Sequence, residues 1–266
     1  MKKKDFALIW SNSKNGMNGV MIMKCILASV GFINEDLQYN KKVIIDTLTA
    51  YSASADIVIF GEAFLQGFYG ATFDMEHDTQ IAISQDDPII KEICSAAKQC
   101  LTAVSFGFIE KEGSCFYSSQ ITIDANGSVI DLYRRVSPGW KESFASTQYR
   151  EGNGFHAFQF MDQKVVVGLC GDLWYDENVD SVKLLKPDVV FWPVYTDFHF
   201  NEWNTSIKYE YASQAQKICE KVLYVNSVCI DREDEEIARG GSAFFENGNI
   251  RREVPSGKEA VLFVEI

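Results

Sequence analysis

Along the chain, short runs of branched apolar residues alternate with stretches in which apolar residues recur every three or four positions. That pattern predicts strands interleaved with helices. An apolar strand over 25–31 opens the regular part, directly after Met23. A helix is expected from about Asn34 to Ser52, because Leu37, Ile44, Leu48 and Tyr51 fall on one face. Asp56 to Phe60 reads as a buried strand. Asp86-Asp87-Pro88 is a helix start, with an acidic cap and a proline in the first turn, and Ile90, Ile93, Cys94, Ala97 and Leu101 form the stripe behind it. Strands follow at 102–109, 115–124 and 128–133, with Asn126-Gly127 making the last two a hairpin. A second hairpin pairs 155–160 with 164–170. After it come a short helix over 176–185, a strand at 188–192, a helix over 204–220 and a strand over 222–229. A hairpin turning at Asn247-Gly248 and a closing strand at 259–265 complete the pattern. Helices and strands alternate, but hairpins interrupt them, so the class is α/β with mixed rather than purely parallel sheets.

Three stretches lie outside the pattern. Residues 1–22 show no clear period, and they read as a leader or an alternative-start extension ahead of Met23. An extra edge strand from Phe6 to Trp10 is the other reading. Residues 134–153 have no period either, and a loop of that length in a compact domain is usually functional. The acidic stretch 231–236 reads as a solvated tip.

The chemistry concentrates where strands stop. Val165 to Leu169 runs straight into Cys170, and Gly171 and Asp172 then allow a tight turn. A thiol at a strand end, followed by backbone N–H groups, has the layout of a nucleophile elbow. One of seven cysteines can equally be core filler. Two more strands end alike, however: 56–60 delivers Glu62 and 127–133 delivers Arg134 and Arg135. Ligand sites of α/β sheets lie at the carboxyl ends of strands, and charge is costly to bury unless paired or functional. Glu62, Arg135 and Cys170 are therefore read as one site.

Composition narrows the classes. The 266 residues are 47% hydrophobic and 23% charged, enough for one large core. A net charge of −12 argues against nucleic acid and anionic membranes as partners. No apolar run reaches a membrane span of about 18 residues. Seven cysteines without CxxC pairs suit a reducing cytoplasm, and the three histidines lack metal-ligand spacing. Neither metal nor cofactor is expected, and the partner is a small molecule.

The blocks Ala55 to Glu62, Tyr133-Arg134-Arg135 and Gly168 to Glu177, in that order, resemble the nitrilase or carbon–nitrogen hydrolase superfamily. Asn40, Val225-Asn226 and Gly241-Ser242-Ala243 agree with it, so the resemblance covers residues 23–266. It implies a four-layer αββα sandwich that assembles into homodimers or larger homo-oligomers. It also implies a Glu–Lys–Cys triad, with Glu62 as general base and Cys170 as nucleophile. Glu142 is similar to the second glutamate, which orients the triad and substrate; Asp172 and Trp174 match positions that shape the thiol loop. One position departs: Arg135 stands where the family carries lysine. An arginine is a planar fork that keeps its proton, not a compact tunable ammonium. Lys141, six residues on, is the other candidate for the cation.

The resulting expectation is thiol-dependent hydrolysis of a small amide or N-carbamoyl amine through a Cys170 thioester. A catalytically impaired binding relative is the alternative. The aromatic residues available to shape a pocket are Tyr69, Trp140, Trp174 and Tyr195, with Phe68, Phe198 and Trp203 beside them. At least half of these are expected to pack in the core or at an interface. His156 and His199 are expected to be structural.

Overall fold

A computed structural model describes residues 22–233 and 235–266. The leader and the Phe6–Trp10 strand considered above lie outside the described residues.

The first half of the chain builds one sheet and its helices. Strand β1 (Lys24–Ser29) and the two-residue β2 (Gly31–Phe32) precede helix α1 (Leu37–Tyr51). Asp36 caps α1 by accepting from the Tyr39 N–H. Then come β3 (Ile57–Phe60), α2 (Met75–Ile81) and α3 (Pro88–Cys100). The Asp87 side chain caps α3, and Leu101 ends it in the left-handed conformation. Strands β4 (Ala103–Glu112), β5 (Cys115–Ile123) and β6 (Val129–Arg134) form a meander. The second half repeats the plan. It holds β7 (Ala157–Phe160), β8 (Gln163–Val167), α4 (Asp176–Leu185) and β9 (Val189–Val194). Helix α5 (Phe200–Glu202), a π-helical turn (Trp203–Ile207) and α6 (Lys208–Ile218) run on to β10 (Lys221–Asn226) and β11 (Val228–Cys229). Strands β12 (Ser242–Glu246), β13 (Asn249–Val254) and β14 (Ala260–Glu265) end the fold.

The first sheet has the order β14-β1-β3-β4-β5-β6 and the second β13-β12-β10-β9-β8-β7. In each, three parallel strands form the centre (β1, β3, β4 and β8, β9, β10), flanked by antiparallel ones. Strand alternation then defines the layers. Cys25, Leu27, Ile57 and Ile59 meet Val165, Val167, Val189, Phe191, Leu223 and Val225 between the sheets. Their neighbours Ile26, Ala28, Val58 and Phe60 face Ile44, Leu48, Ile90 and Ile93 of α1 and α3. Val166, Val190, Trp192, Val222 and Tyr224 face Val179, Val182, Tyr211 and Ala215 of α4 and α6. These layers make an αββα sandwich. Each fully buried Val, Leu, Ile or Phe side chain is worth about 1.5–3 kcal/mol, so this layering is the main stabilising term.

The expected strands all form, and the differences have local causes. Helix α2 escapes a periodicity reading because its seven residues are mostly polar, and it is fixed by Asp74, which accepts from the Glu76 and His77 N–H groups. The acidic side chains Asp231, Glu233, Glu235 and Glu236 are exposed, as a solvated tip requires, but the stretch is anchored at two points. The Arg232 guanidinium lies 4.0 Å from the Tyr69 ring centroid, and the Glu236 carbonyl accepts from the Tyr195 hydroxyl. The strands that lead to Glu62 and Cys170, β3 and β8, belong to different sheets, and β6, which leads to Arg135, is a half-buried edge strand.

One glycine sets where the segment after β3 lies. The Gly107 N–H on β4 donates to the Gly61 carbonyl, and its own carbonyl accepts from the Leu65 N–H. A Cβ at Gly107 would lie 2.2 Å from the Ala63 nitrogen, a backbone atom that cannot swing away. Gly107→Ala is therefore expected to lower unfolding free energy in urea by about 3 kcal/mol, the upper end of the usual cost of overpacking. The more distant Gly113, whose Cβ would meet nothing within 4 Å, has a positive φ and is the control only for replacement by Asn.

Candidate active site

Glu62 stands two residues beyond β3, fully buried, with its N–H donating to the Val194 carbonyl of the opposite sheet at 3.2 Å. Ala63 behind it takes a positive φ of 50°. Asn40 holds the far side of this segment by donating to the Leu65 and Ile33 carbonyls. The two carboxylate oxygens of Glu62 are not equivalent. Oε1 accepts from Ser118 Oγ at 2.9 Å and from Arg135 Nη1 at 2.9 Å. Oε2 is buried and has no hydrogen-bond partner among the described residues. A buried acceptor left open is costly unless something visits it.

Arg135 follows the last residue of β6 and is 3% exposed. Its Nη1 pairs with Glu62 and its Nε donates to Ser137 Oγ at 3.0 Å. Burial opposes its charge, but Glu62, Cys170 and Asp172 outweigh that and push its pKa upward. Its charge therefore stays on.

Cys170 begins a 3₁₀ turn, Cys170–Trp174, three residues after β8. Its φ of 43° lies in the left-handed region that a non-glycine residue rarely adopts. The strain is held in place from three sides. Trp192 Nε1 donates to the Cys170 carbonyl at 2.9 Å, and Gln214 donates to the Leu173 carbonyl at 2.6 Å. Asp172, fully buried, accepts from four donors: the N–H groups of Val136, Ser137 and Leu169, and the Tyr133 hydroxyl at 2.6 Å. Through them Asp172 ties the thiol turn to the segment carrying Arg135. Burial raises the Asp172 pKa, against the pull of Tyr133, Arg135 and Ser137.

The Cys170 thiol donates to the Tyr195 carbonyl at 3.3 Å. Its pKa is pushed up to about 12, first by burial and then by the Glu62 charge, while Arg135 and the Tyr195 contact pull it down. Glu62 and Arg135 are thus near enough to act on this sulfur, and at rest the sulfur keeps its proton. A base has to remove that proton during attack.

The other residues singled out in the sequence are distributed differently. Lys141 donates to the Tyr149 carbonyl at 2.8 Å and pairs with Glu151 at 2.7 Å, so it is not brought to the thiol. Glu142 lies exposed on the following turn rather than oriented toward Glu62. Trp140, just before them in the chain, is 3% exposed and packs against Phe73 and Tyr149. Trp140 Nε1 is itself buried without a partner. Tyr195 stacks on Phe68 at 4.5 Å and meets Tyr69 edge-on at 5.7 Å. Trp174 is half exposed, edge-on to Tyr211 at 5.0 Å. His156 pairs with Asp131 at 2.7 Å, and His199 caps α5. Sequence reasoning assigned no role to Ser118, Ser137, Tyr133 or Trp192. The first three sit on strands or loops as ordinary polar or aromatic residues, and only the fold gives them Glu62, Arg135 and Asp172 as partners. Among the described residues no cluster of His, Cys, Asp and Glu is placed to hold a metal, and no helix is long and apolar enough to cross a membrane.

Comparison with known proteins gives the family. The carbon–nitrogen hydrolase family model matches residues 20–266. The chain belongs to that family, and so is an enzyme of the class that hydrolyses carbon–nitrogen bonds. It is 25% identical over 244 residues to the N-carbamoylputrescine amidase of Oryza sativa subsp. japonica, covering 88% of this chain and 80% of that one. The bromoxynil-specific nitrilase of Klebsiella pneumoniae subsp. ozaenae is 31% identical over 144 residues, half of this chain and 39% of the relative. The structure of a C145A mutant of the Nesterenkonia AN1 amidase superposes with a TM-score of 0.77 at 16% identity, covering 92% of this chain and 90% of that one. That likeness shows the shared fold.

The two charges beside the thiol act on it with opposite signs, which gives a direct check. Removing the Glu62 charge removes a cause that raises the Cys170 pKa, so Glu62→Gln is expected to lower the pH midpoint of iodoacetamide alkylation of Cys170, the thiolate's own reaction, whatever the loss of the base does to acylation by an amide. Arg135→Ala removes a cause that lowers the pKa and is expected to raise the same midpoint. A shift of one pKa unit in either direction is about tenfold in rate well below the midpoint. Peptide mass spectrometry resolves Cys170 from the other cysteines.

Proposed function

We propose that this chain hydrolyses a small amide or an N-carbamoyl amine through a thioester on Cys170, with Glu62 as general base and Arg135 as the cation that holds the oxyanion. The observation that carries this reading is the open, buried Oε2 of Glu62, whose charge reaches the protonated Cys170 thiol, while Oε1 is held by Arg135 and Ser118.

The steps follow from those positions. Glu62 Oε2 takes the Sγ proton as sulfur bonds to the carbonyl carbon, and the C=O electron pair becomes an oxyanion. Arg135 and the N–H of Gly171 face that charge. Collapse breaks the C–N bond, and the proton on Glu62 leaves with the nitrogen as ammonia or amine. Water then gives a proton to Glu62 and attacks the thioester, and the acid departs as sulfur regains its proton. Amide-type substrates are supported by the N-carbamoylputrescine amidases among the relatives. The aromatic group Phe68, Tyr69 and Tyr195 is the candidate to bound the substrate's apolar part, since the Tyr195 carbonyl already contacts the thiol.

The second reading is a relative that binds such a ligand without turning it over. The exposure of Glu142 and the engagement of Lys141 by Glu151 favour it. An ammonia-release screen over amides, N-carbamoyl amines and nitriles separates the two. Release from an amide or a carbamoyl amine supports hydrolysis, and binding without release supports the alternative. In the active case Cys170→Ala is expected to abolish turnover, and Arg135→Ala to lower kcat by about 100-fold or more. Lys141→Ala is expected to stay within about threefold of the parent, because its partners Tyr149 and Glu151 lie outside the thiol's contacts. A larger loss for Lys141→Ala than for Arg135→Ala would reassign the cation.

A further inference from the structure

Two glycines lie against the one end of Arg135 that neither Glu62 nor Ser137 holds. A Cβ built on Gly171 would sit 2.9 Å from Arg135 Nη2 and 3.5 Å from Ser137 Oγ. A Cβ on Gly139 would sit 3.1 Å from the same Nη2. Neither glycine has a positive φ, so the backbone at both positions accepts alanine and the missing side chain answers a need for space. Gly171 is also the residue that follows the nucleophile. We propose that Gly139 and Gly171 are positioning residues that, with Ser137, form a slot for the Nη2 arm of Arg135 and thereby set where its charge meets the oxyanion at Cys170. This rests on the hydrolytic reading above and deepens it: the cation of this site is shaped as a planar fork, and the neighbours are shaped to match.

The kind of contact distinguishes this slot from structural glycines. At Gly152 and Gly107 the obstructing atoms are backbone, so a side chain there disturbs the fold. At Gly171 and Gly139 the nearest atom is the tip of a side chain. A methyl group there moves the tip, not the chain. The guanidinium has to retreat by about half an ångström to reach ordinary contact distance. It is pinned by two hydrogen bonds in a buried place, at Nη1 to Glu62 and Nε to Ser137. The retreat therefore shifts the Glu62–Arg135 pair relative to the sulfur. Displacement of a catalytic group by an ångström can cost 100-fold, so about half that distance is expected to cost about tenfold. A lysine at position 135 lacks the Nη2 arm and has no collision with a methyl group at position 171.

The test is a cycle of Gly171→Ala, Arg135→Lys and the double variant, with Gly139→Ala as an independent probe should Gly171→Ala fail to fold. Three readouts are taken: kcat and KM on the amide found by ammonia release, the pH profile of Cys170 alkylation by iodoacetamide, and the urea midpoint. The slot requires Gly171→Ala to lower kcat about tenfold with an unchanged urea midpoint. It also requires the alkylation midpoint to rise, because a displaced guanidinium lowers the thiol pKa less. Gly139→Ala should move both in the same direction by a smaller amount. In the Gly171→Ala background Arg135→Lys should cost little or restore rate, although in the parent it lowers rate. Unchanged alkylation profiles and rates in both glycine variants overturn the slot. So does a double variant whose losses simply multiply. If no amide is turned over by the parent, yet the alkylation midpoint rises in Gly171→Ala and returns in the double variant, the slot stands and the hydrolytic reading falls.

Discussion

The buried pair of Glu62 and Arg135 is the interaction on which the rest of this structure depends. Taking two charges out of water costs several kcal/mol per ion, and one contact at 2.9 Å returns that only with further hydrogen bonds. Those bonds are present for one carboxylate oxygen, from Ser118, and for one guanidinium nitrogen, to Ser137. They are withheld from the second carboxylate oxygen. A structural ion pair gains nothing by leaving a buried acceptor open. A base that has to take a proton from a neighbouring thiol needs that opening.

The fold brings these groups together across its middle. Glu62 belongs to one sheet, Cys170 to the other, and Arg135 leaves an edge strand of the first. The Glu62 N–H bonds to Val194 and the Cys170 thiol bonds to Tyr195, so consecutive residues at the end of β9 touch both. Asp172 then joins the thiol turn to the arginine segment through Val136, Ser137 and Tyr133. The strained backbone at Cys170 is supported by contacts from Trp192 and Gln214, which belong to the outer side of the second sheet and its helix. Packing on three layers therefore fixes a geometry that no single segment could hold.

Much of this was legible in the chain itself. Periodicity located the strands because apolar alternation is a local property, and the caps Asp36 and Asp87 were visible for the same reason. Glu62, Arg135 and Cys170 stood out in the sequence because each follows an apolar run with a group that is expensive to bury. The assignment of their neighbours was not local. Lys141 and Glu142 look in sequence like site residues, but Lys141 is engaged by the Tyr149 carbonyl and Glu151 while Glu142 is exposed, and those partners are set by the fold of the loop around the buried Trp140. Ser118 and Ser137 carry no signal in sequence, since a serine on a strand or loop is unremarkable until its partner is known. The acidic stretch reads as solvated from its charge and its described acidic side chains are exposed, but its anchoring by Arg232 on Tyr69 and by the Glu236 carbonyl on Tyr195 needed the fold to be seen.

The most direct test of the central claim, a protonated thiol activated by the open oxygen of Glu62, is intact-mass spectrometry during turnover. The parent and Glu62→Gln are mixed with a small amide and quenched within seconds. Activation by Glu62 requires the parent to gain the mass of one acyl group, mapped to Cys170, and the Gln variant to gain it at least about 100 times more slowly. Equal rates of acylation in the two proteins, or an acyl group on any other residue, would contradict it.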